Sequence, residues 1–249
     1  MKVVYHRRYE EVYASDPAAR AGRMNGIVKE VLPFFELVMP EPAAVGDIGL
    51  VHSDEHIKDV QRMILTYDIA LLSAGGAIKA AELAAGGEPA FALIRPPGHH
   101  ASRDHCWGFC FFNNVAISIA KLRKEGKIRT AVILDIDLHY GDGTASIFEN
   151  VTGVIYFHPE GSSRKEFVDA VSRFLARTEA DIVAVSAGFD RHEHGWGGLL
   201  KTEDYETIGG LVKEFAERVC QGRRYGVLEG GYNHHVLGEN VHALLKGMD

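Results

Sequence analysis

The chain has few cysteines and no long apolar run, and both absences narrow its class. Its 249 residues include only three cysteines, Cys106, Cys110 and Cys220. An odd number without a second closely spaced pair argues against a disulfide framework or a structural zinc site, so we expect reduced, non-ligating thiols. No run of about 18 apolar residues is present, and the first residues lack the apolar stretch of a secretory signal. These absences predict a soluble, cytoplasmic protein that does not bind membranes.

The chain also has no excess of positive charge, no low-complexity segment and no internal repeat. The chain has 34 acidic and 27 basic residues and a formal net charge of -7, so its charge predicts no nucleic-acid partner. With 46% hydrophobic residues it is long enough to bury a full core. We expect residues 1–249 to form a single domain, and the sequence leaves the oligomeric state open.

Short β-branched runs alternate with helical patterns along the chain. Six runs predict strands, near residues 1, 91, 130, 153, 181 and 225. Five stretches predict helices, at residues 68–85, 113–124, 164–177, 202–220 and 235–246. This alternation predicts an α/β fold with a mostly parallel central sheet and helices on both faces. Polar loops follow five of the strands, so we expect the functional site at the carboxyl edge of the sheet.

The segment 130–143, TAVILDIDLHYGDG, carries three ionisable residues at strand spacing. A strand period of two would place Asp135, Asp137 and His139 on one side of the sheet. Burying unpaired charge among apolar neighbours is costly unless a metal or a partner neutralises it, although a solvated strand end is the alternative. Asp190 follows a later strand and is the natural third ligand beside Asp137 and His139. Two aspartates and a histidine suit Zn²⁺ or Fe²⁺ with room for water.

Further polar residues follow other strands. His99 and His100 come after a strand and a rigid Arg-Pro-Pro-Gly turn, where an adjacent histidine pair suits proton transfer. Asp135 and Asp142 remain as carboxylates that would orient these imidazoles. Tyr232 follows two glycines at the end of the last strand. Alone such a tyrosine is usually a packing residue, but beside a metal and a histidine pair it would stabilise an oxyanion.

Five motifs, in order, resemble those of the histone deacetylase superfamily, which includes the acetylpolyamine amidohydrolases. They are RPPGHHA, GFCFFNN, DIDLHYGDG, SAGFD and LEGGY, within about residues 50 to 245. The resemblance implies the arginase-deacetylase α/β fold. It also implies a zinc-dependent amidohydrolase that cleaves a linear N-acetyl amide with metal-activated water.

The resemblance also implies a role for each matching residue. It makes Asp137, His139 and Asp190 the metal ligands, and His100 the principal general base and acid, oriented by Asp142.

The remaining matches complete the implied site. His99 becomes the buried electrostatic partner of Asp135, and Tyr232 becomes the group that polarises the substrate carbonyl. Gly108 and Phe109 match residues that line the channel for the acylated amine, where Gly108 would accept a substrate hydrogen bond through its backbone.

Three departures from the family pattern alter these expectations. A serine that helps to hold a structural K⁺ beside Asp135 is replaced by Tyr156, which puts that K⁺ site in doubt. The loop PEGSSRKEF is abbreviated, so we expect a shallower, wider entrance. Trp196 matches a position near the acyl pocket, where it would narrow the pocket or replace a missing aromatic wall, and a loop-packing role is the alternative.

The leading hypothesis is therefore a Zn²⁺- or Fe²⁺-dependent deacetylase of acetyl-lysine, an acetylated polyamine or another small amide. One alternative is an arginase-type ureohydrolase, which would need two metal ions. Another is a non-catalytic protein that binds acyl-lysine or acetate. The sequence leaves the natural substrate, the acyl length and the physiological metal open.

Overall fold

A seven-stranded sheet, parallel throughout, lies at the centre of the computed structural model, which describes residues 1–249. The strands are β1 (Lys2–Val4), β2 (Glu36–Val38), β3 (Ala90–Ala92), β4 (Ala131–Asp135), β5 (Val154–Phe157), β6 (Ile182–Ala187) and β7 (Arg224–Leu228). Their order across the sheet is β2-β1-β3-β7-β6-β4-β5. Strands β3, β4, β6 and β7 are fully buried, as expected where helices cover both faces of a parallel sheet.

Nine α-helices surround the sheet. They are α1 (Asn25–Glu30), α2 (Val45–Ile48), α3 (Asp54–Gln61), α4 (Ile64–Ala85), α5 (Asn114–Lys124), α6 (Asp142–Phe148), α7 (Arg164–Ala176), α8 (Thr202–Val219) and α9 (Leu237–Met248). Helix α4 packs on α5 and against β3 and β7, whereas α8 packs on α9 and α7. One continuous cluster of 67 buried hydrophobic side chains joins the sheet to these helices. The predicted α/β class is therefore confirmed.

Helix α4 is the one helix that is long and apolar enough to cross a membrane, by length and composition alone. Within its most apolar 18-residue stretch, 67% of the residues are buried inside the protein. That burial is typical of the core helix of a globular fold.

All six predicted strands are present, and the structure adds β2 at the edge of the sheet. Pro33, Pro40 and Pro42 favour a loop in this segment, but residues 36–38 pair with β1. The two exposed residues of β2, Glu36 and Leu37, show no alternation that would mark a strand. The five predicted helices are also present, with ends that differ by a few residues.

Candidate active site

Loops that follow β4 and β6 bring Asp137, His139 and Asp190 together, with their ligand atoms within 4.8 Å of one another. The His139 Nδ1 atom is 3.1 Å from Asp137 Oδ1 and 3.1 Å from Asp190 Oδ2. Both aspartates are buried, but 39% of the His139 side chain is exposed. The cluster is therefore open to solvent on the side of the imidazole.

The predicted convergence occurs, but not by strand alternation. Strand β4 ends at Asp135, and the residues after it turn instead of continuing the strand. The Asp137 amide donates to Asp135 Oδ1 at 3.1 Å, and the His139 amide donates to Asp137 Oδ1 at 2.9 Å. Aspartate side chains commonly hold such turns by bonding the backbone two residues on. The prediction that a strand period aligns these three residues is therefore wrong in its geometry.

The carboxylates of this cluster fit a divalent cation. One oxygen of each is anchored: Asp137 Oδ2 accepts from the Gly230 amide at 2.8 Å, and Asp190 Oδ1 accepts from the Leu138 amide at 3.0 Å. The other Asp190 oxygen, Oδ2, is buried and has no hydrogen-bond partner. An unpaired buried carboxylate oxygen that faces an imidazole and a second carboxylate is costly without a cation, and this donor set suits Zn²⁺ or Fe²⁺.

The pKa shifts of His139 and Asp190 also indicate a site that attracts a cation. A hydrogen bond to Asp137 and the nearby carboxylate of Asp190 raise the pKa of His139 to about 10. Burial raises the pKa of Asp190, and the nearby charge of Asp137 raises it further. Two buried carboxylates thus repel each other and attract positive charge to the point between them.

The adjacent histidines form two histidine–aspartate pairs beside this cluster. His100 Nδ1 lies 2.6 Å from Asp142 Oδ1, and His99 Nδ1 lies 3.0 Å from Asp135 Oδ2. Both imidazoles are buried, and their ring centroids are 4.1 Å apart. His99 Nε2 is also 3.9 Å from Asp137 Oδ1, which ties the pair to the proposed ligands.

The two imidazoles differ in charge. Burial lowers the pKa of His100, and the neighbouring charge on His99 lowers it further. Burial also acts to lower the pKa of His99, but the carboxylates of Asp135 and Asp137 outweigh that effect and raise it well above the usual value. At neutral pH the site therefore holds one neutral imidazole, able to accept a proton, next to one imidazolium.

Tyr232 lies at the edge of the same site, directly after Gly231, whose φ of 112° an L-residue rarely adopts. Its ring is 4.3 Å from the Trp196 ring and 5.8 Å from the Phe109 ring, between centroids. Burial raises the pKa of the Tyr232 hydroxyl, so the group stays protonated and can donate a hydrogen bond. Gly108, at a φ of 58°, is packed so closely on the His100 ring that a Cβ atom there would clash.

Arg23 holds the turn before Tyr232, and sequence reasoning missed it. This fully buried side chain donates from Nε to the Gly231 carbonyl at 3.0 Å and from Nη2 to the Glu229 carbonyl at 2.6 Å. Its guanidinium also lies 5.4 Å from the centroid of the Tyr232 ring. Arg23 is more than 200 positions away in the sequence, in a segment without a motif, so no local signal marked it.

Trp107 is a second residue that the sequence analysis did not single out. Its indole Nε1 donates to Asp142 Oδ2 at 2.9 Å, and its ring lies 4.0 Å from the His100 ring. The indole is 49% exposed, and Trp196, which is 6.0 Å from the His139 ring, is 56% exposed. Two exposed indoles thus flank the site.

A second group of candidate ligands, His99, Cys110 and Glu229, is already satisfied by protein contacts. Glu229 Oε2 accepts from the Gly98 amide at 2.7 Å and from the His99 amide at 3.2 Å. Cys110 Sγ accepts from the His100 amide at 3.4 Å. Burial raises the pKa of Glu229 to about 7 and the pKa of Cys110 well above its usual value. Glu229 and Cys110 therefore hold the backbone of residues 98–100, and the Cys110 thiol keeps its proton.

A model of the histone deacetylase domain matches the chain over residues 17–160 and 158–248. The chain belongs to the histone deacetylase family. The two matched stretches overlap at residues 158–160, at the start of the loop after β5.

Named relatives of this histone deacetylase family chain include deacetylases and amidohydrolases. It is 29% identical to a probable deacetylase of Methanothermobacter thermautotrophicus, across 100% of this chain and 91% of that protein. It is 31% identical to the acetylpolyamine amidohydrolase of Mycoplana ramosa, across 74% of this chain and 63% of that protein. The crystal structure of the HDA15 HD domain covers 98% of this chain and 88% of its own chain, with a TM-score of 0.85 and 23% identity. That likeness confirms the predicted fold.

Proposed function

We propose that this family member is a metal-dependent deacetylase that hydrolyses the N-acetyl amide of a lysine or of a polyamine-like amine. The observation that carries the proposal is the position of His100. Its imidazole, whose pKa is lowered by burial, is held by Asp142 at 2.6 Å and lies 6.0 Å, between ring centroids, from His139 in the proposed ligand set. A proton acceptor beside a cation site is the arrangement that amide hydrolysis requires.

Asp137, His139 and Asp190 would hold the ion, with Zn²⁺ or Fe²⁺ as the two candidates from donor type. When bound, such an ion polarises an amide carbonyl and makes water more acidic. One face of the cluster is open beside His139, where a substrate carbonyl has access. We assign one ion to each chain, because the second group of candidate ligands already has protein partners.

His100 performs the proton transfers in this scheme. Its Nδ1 bonds to Asp142, so the free Nε2 accepts a proton from the attacking water and later donates it to the departing amine. Asp142 fixes the tautomer and stabilises the imidazolium that forms in between. His99, paired with Asp135, supplies fixed positive charge next to the proton acceptor and keeps the His100 pKa low.

Tyr232 stabilises the negative charge that develops on the carbonyl oxygen. Its hydroxyl remains protonated, and Arg23 holds the backbone immediately before it. A preorganised donor of this kind contributes roughly 3 to 4 kcal/mol to transition-state stabilisation.

The walls of the site fit an aliphatic amine. Phe109 and Trp196 both pack on the Tyr232 ring, so the methylene chain of the substrate would lie among aromatic rings. The Gly108 backbone carbonyl would accept a hydrogen bond from the substrate amide. The short loop after β5 would leave a wide entrance, which suits both a small acetylated amine and an acetyl-lysine side chain on a peptide.

The test is steady-state hydrolysis of an acetyl-lysine amide and of an N-acetylated diamine, with the metal content measured on the same samples. We expect turnover with one Zn²⁺ or Fe²⁺ per chain, loss of turnover with chelator, and a loss of roughly 10²–10³-fold in kcat for Tyr232→Phe. Tyr140→Phe is the matched control, because Tyr140 is exposed beside the site and should retain activity.

Other outcomes would support the alternatives. Binding of acetate or acyl-lysine by the metal-loaded protein without any turnover would favour a non-catalytic binding protein. Two bound ions per chain, with hydrolysis of a guanidino substrate, would favour a ureohydrolase. Undiminished turnover by Tyr232→Phe would remove that residue from the mechanism while leaving the reaction class intact.

A further inference from the structure

The guanidinium of Arg191 lies behind the proposed metal ligands, in the interior of the protein. Only 9% of the residue is exposed. Its Nε donates to the Asp137 carbonyl at 2.9 Å, and its Nη2 donates to the Leu138 carbonyl at 3.2 Å. The side chain also packs on the Phe167 ring, with Cζ 4.8 Å from the ring centroid. Burying a charge is costly, so these specific contacts indicate a structural role for Arg191.

A neighbouring contact also fixes the position of the guanidinium. The Arg191 Nη2 group is 2.8 Å from His158 Nε2, which therefore accepts, and burial lowers the His158 pKa so that this imidazole stays neutral. The nearest buried charges of opposite sign are three aspartates. These are Asp135, Asp137 and Asp190, each with 1% or less of its surface exposed. A divalent ion would balance two of these three charges, and His99, which pairs with Asp135, lies beside the third.

Tyr156 completes the contacts behind the same loop. Its hydroxyl donates to Asp135 Oδ2 at 2.9 Å and accepts from the Gly141 amide at 2.8 Å. Asp135 is thereby held by a neutral donor as well as by His99. Arg191 and Tyr156 together fix the backbone on both sides of the ligand His139.

These contacts do not fit a structural monovalent cation at this position. K⁺ is bound by oxygen atoms, but the Asp137 and Leu138 carbonyls already accept hydrogen bonds from a guanidinium. A second cation at these oxygens would meet the positive charge of Arg191 at close range in a poorly screened interior. The doubt that Tyr156 raises about a K⁺ site is therefore reinforced by Arg191.

We propose that Arg191 is a built-in cation that, with Tyr156, replaces a soluble monovalent ion behind the metal site and positions the loop that carries His139. It is a positioning residue, because it contacts the ligand loop through backbone carbonyls and does not face the entrance. The inference rests on the proposed divalent-metal site, but its first test uses the metal-free protein and is independent of catalysis.

The first experiment compares the native chain in KCl, NaCl and tetramethylammonium chloride at equal ionic strength. We measure the thermal unfolding midpoint of the metal-free protein and the affinity for Zn²⁺ by competition with a chromophoric chelator. We expect both quantities to be the same in the three salts. A saturable rise of either with K⁺ would overturn the proposal, whatever the enzyme activity.

The second experiment replaces the charge. Arg191→Met should weaken Zn²⁺ binding by roughly 10–100-fold, as expected for loss of a residue that orients metal ligands. Added K⁺, or guanidinium at a low, non-denaturing concentration, should restore part of that affinity. Arg191→Lys keeps the charge but not the two-pronged contact, so we expect an intermediate loss.

Arg218→Met is the matched control. Arg218 also donates to a buried carbonyl, Leu175 at 2.7 Å, and packs over an aromatic ring, Phe215 at 5.6 Å, but it lies in helix α8 away from the aspartates. Its loss should leave Zn²⁺ affinity unchanged in every salt. Equal Zn²⁺ affinities for the Arg191→Met and Arg218→Met variants would contradict the proposal. If Arg191→Met does not fold, the native chain and Arg191→Lys still decide the question.

Discussion

Trp107 and Asp142 are joined by a hydrogen bond from the indole Nε1 to Asp142 Oδ2 at 2.9 Å, while the other Asp142 oxygen contacts His100 at 2.6 Å. The carboxylate therefore divides its negative charge between an indole and an imidazole. Because the indole bond lowers the Asp142 pKa, Trp107 weakens the pull of that carboxylate on the His100 proton. A loop tryptophan thus tunes the basicity of the proposed general base.

We expect Trp107→Phe to move the acidic limb of kcat/KM to higher pH. In the native chain this limb should lie below the ordinary histidine value of 6.5, because burial and the His99 charge lower the His100 pKa. Without the indole bond, Asp142 stabilises the protonated imidazole better, so the His100 pKa rises by up to about one unit. The measurement is a pH–rate profile, with Trp196→Phe as the control. If the acidic limb does not shift, Trp107 has no effect on the pKa of His100.

Replacing Arg23 should impair turnover through Tyr232. In Arg23→Met the buried Gly231 and Glu229 carbonyls lose their donor, at a cost of about 1–3 kcal/mol for each unpaired group. We expect a lower unfolding midpoint and a lower kcat with little change in KM. In a Tyr232→Phe background the same change should have little further effect on kcat, since the two residues act together. Additive losses would show that Arg23 acts elsewhere.

Metal removal should destabilise the native chain but not the Asp190→Asn variant. At a free ion concentration a hundred times the dissociation constant, the bound ion adds about 2.7 kcal/mol to the free energy of unfolding, and chelation removes that contribution. In Asp190→Asn the unpaired buried Oδ2 no longer carries charge, so ion binding and its stabilisation should both be lost. Thermal unfolding with and without chelator measures the difference. Asp181→Asn, which changes an aspartate bonded to the Arg129 and Thr130 amides, should retain the full chelator effect.

Glu229 should make the stability of the protein depend on pH. Burial raises its pKa from 4.5 to about 7, so the folded state holds a proton that the unfolded state releases more readily. This group therefore favours folding below about pH 4.5, and that contribution is lost as the pH rises through about 7, by roughly 3 kcal/mol in total. Denaturation of Glu229→Gln should show a flatter pH dependence across this window. The exposed Glu239→Gln variant should behave as the native chain does.

The sequence predicted those features of the site that come from short segments at the ends of buried strands. Asp190 lies with His139, and Tyr232 lies at the same edge of the sheet, as the strand ends predicted, because hydrophobic runs mark those ends well and parallel strands end at one edge. The His99–Asp135 and His100–Asp142 pairs are also present, but the resemblance to the deacetylase motifs implies them and the residue pattern does not.

The features that sequence reasoning missed depend on contacts between distant segments or on weak local patterns. Arg23 contacts a loop more than 200 residues away in the sequence. Arg191 donates to backbone carbonyls, and because every residue has one, the sequence does not mark these acceptors. Strand β2 is three residues long at an exposed edge, so no alternation identifies it. The turn after Asp135 is held by aspartate side chains, and a pattern of alternating residues cannot distinguish that turn from a longer strand.

The two exposed indoles have one further consequence. Trp107 and Trp196 are the only tryptophans in the chain, and they flank the proposed site, one against the His100 ring and the other against the Tyr232 ring. Intrinsic tryptophan emission therefore arises entirely from the mouth of the site. Ligands and quenching metal ions can be titrated by fluorescence on the unlabelled protein, and single-tryptophan variants would report on each side of the entrance separately.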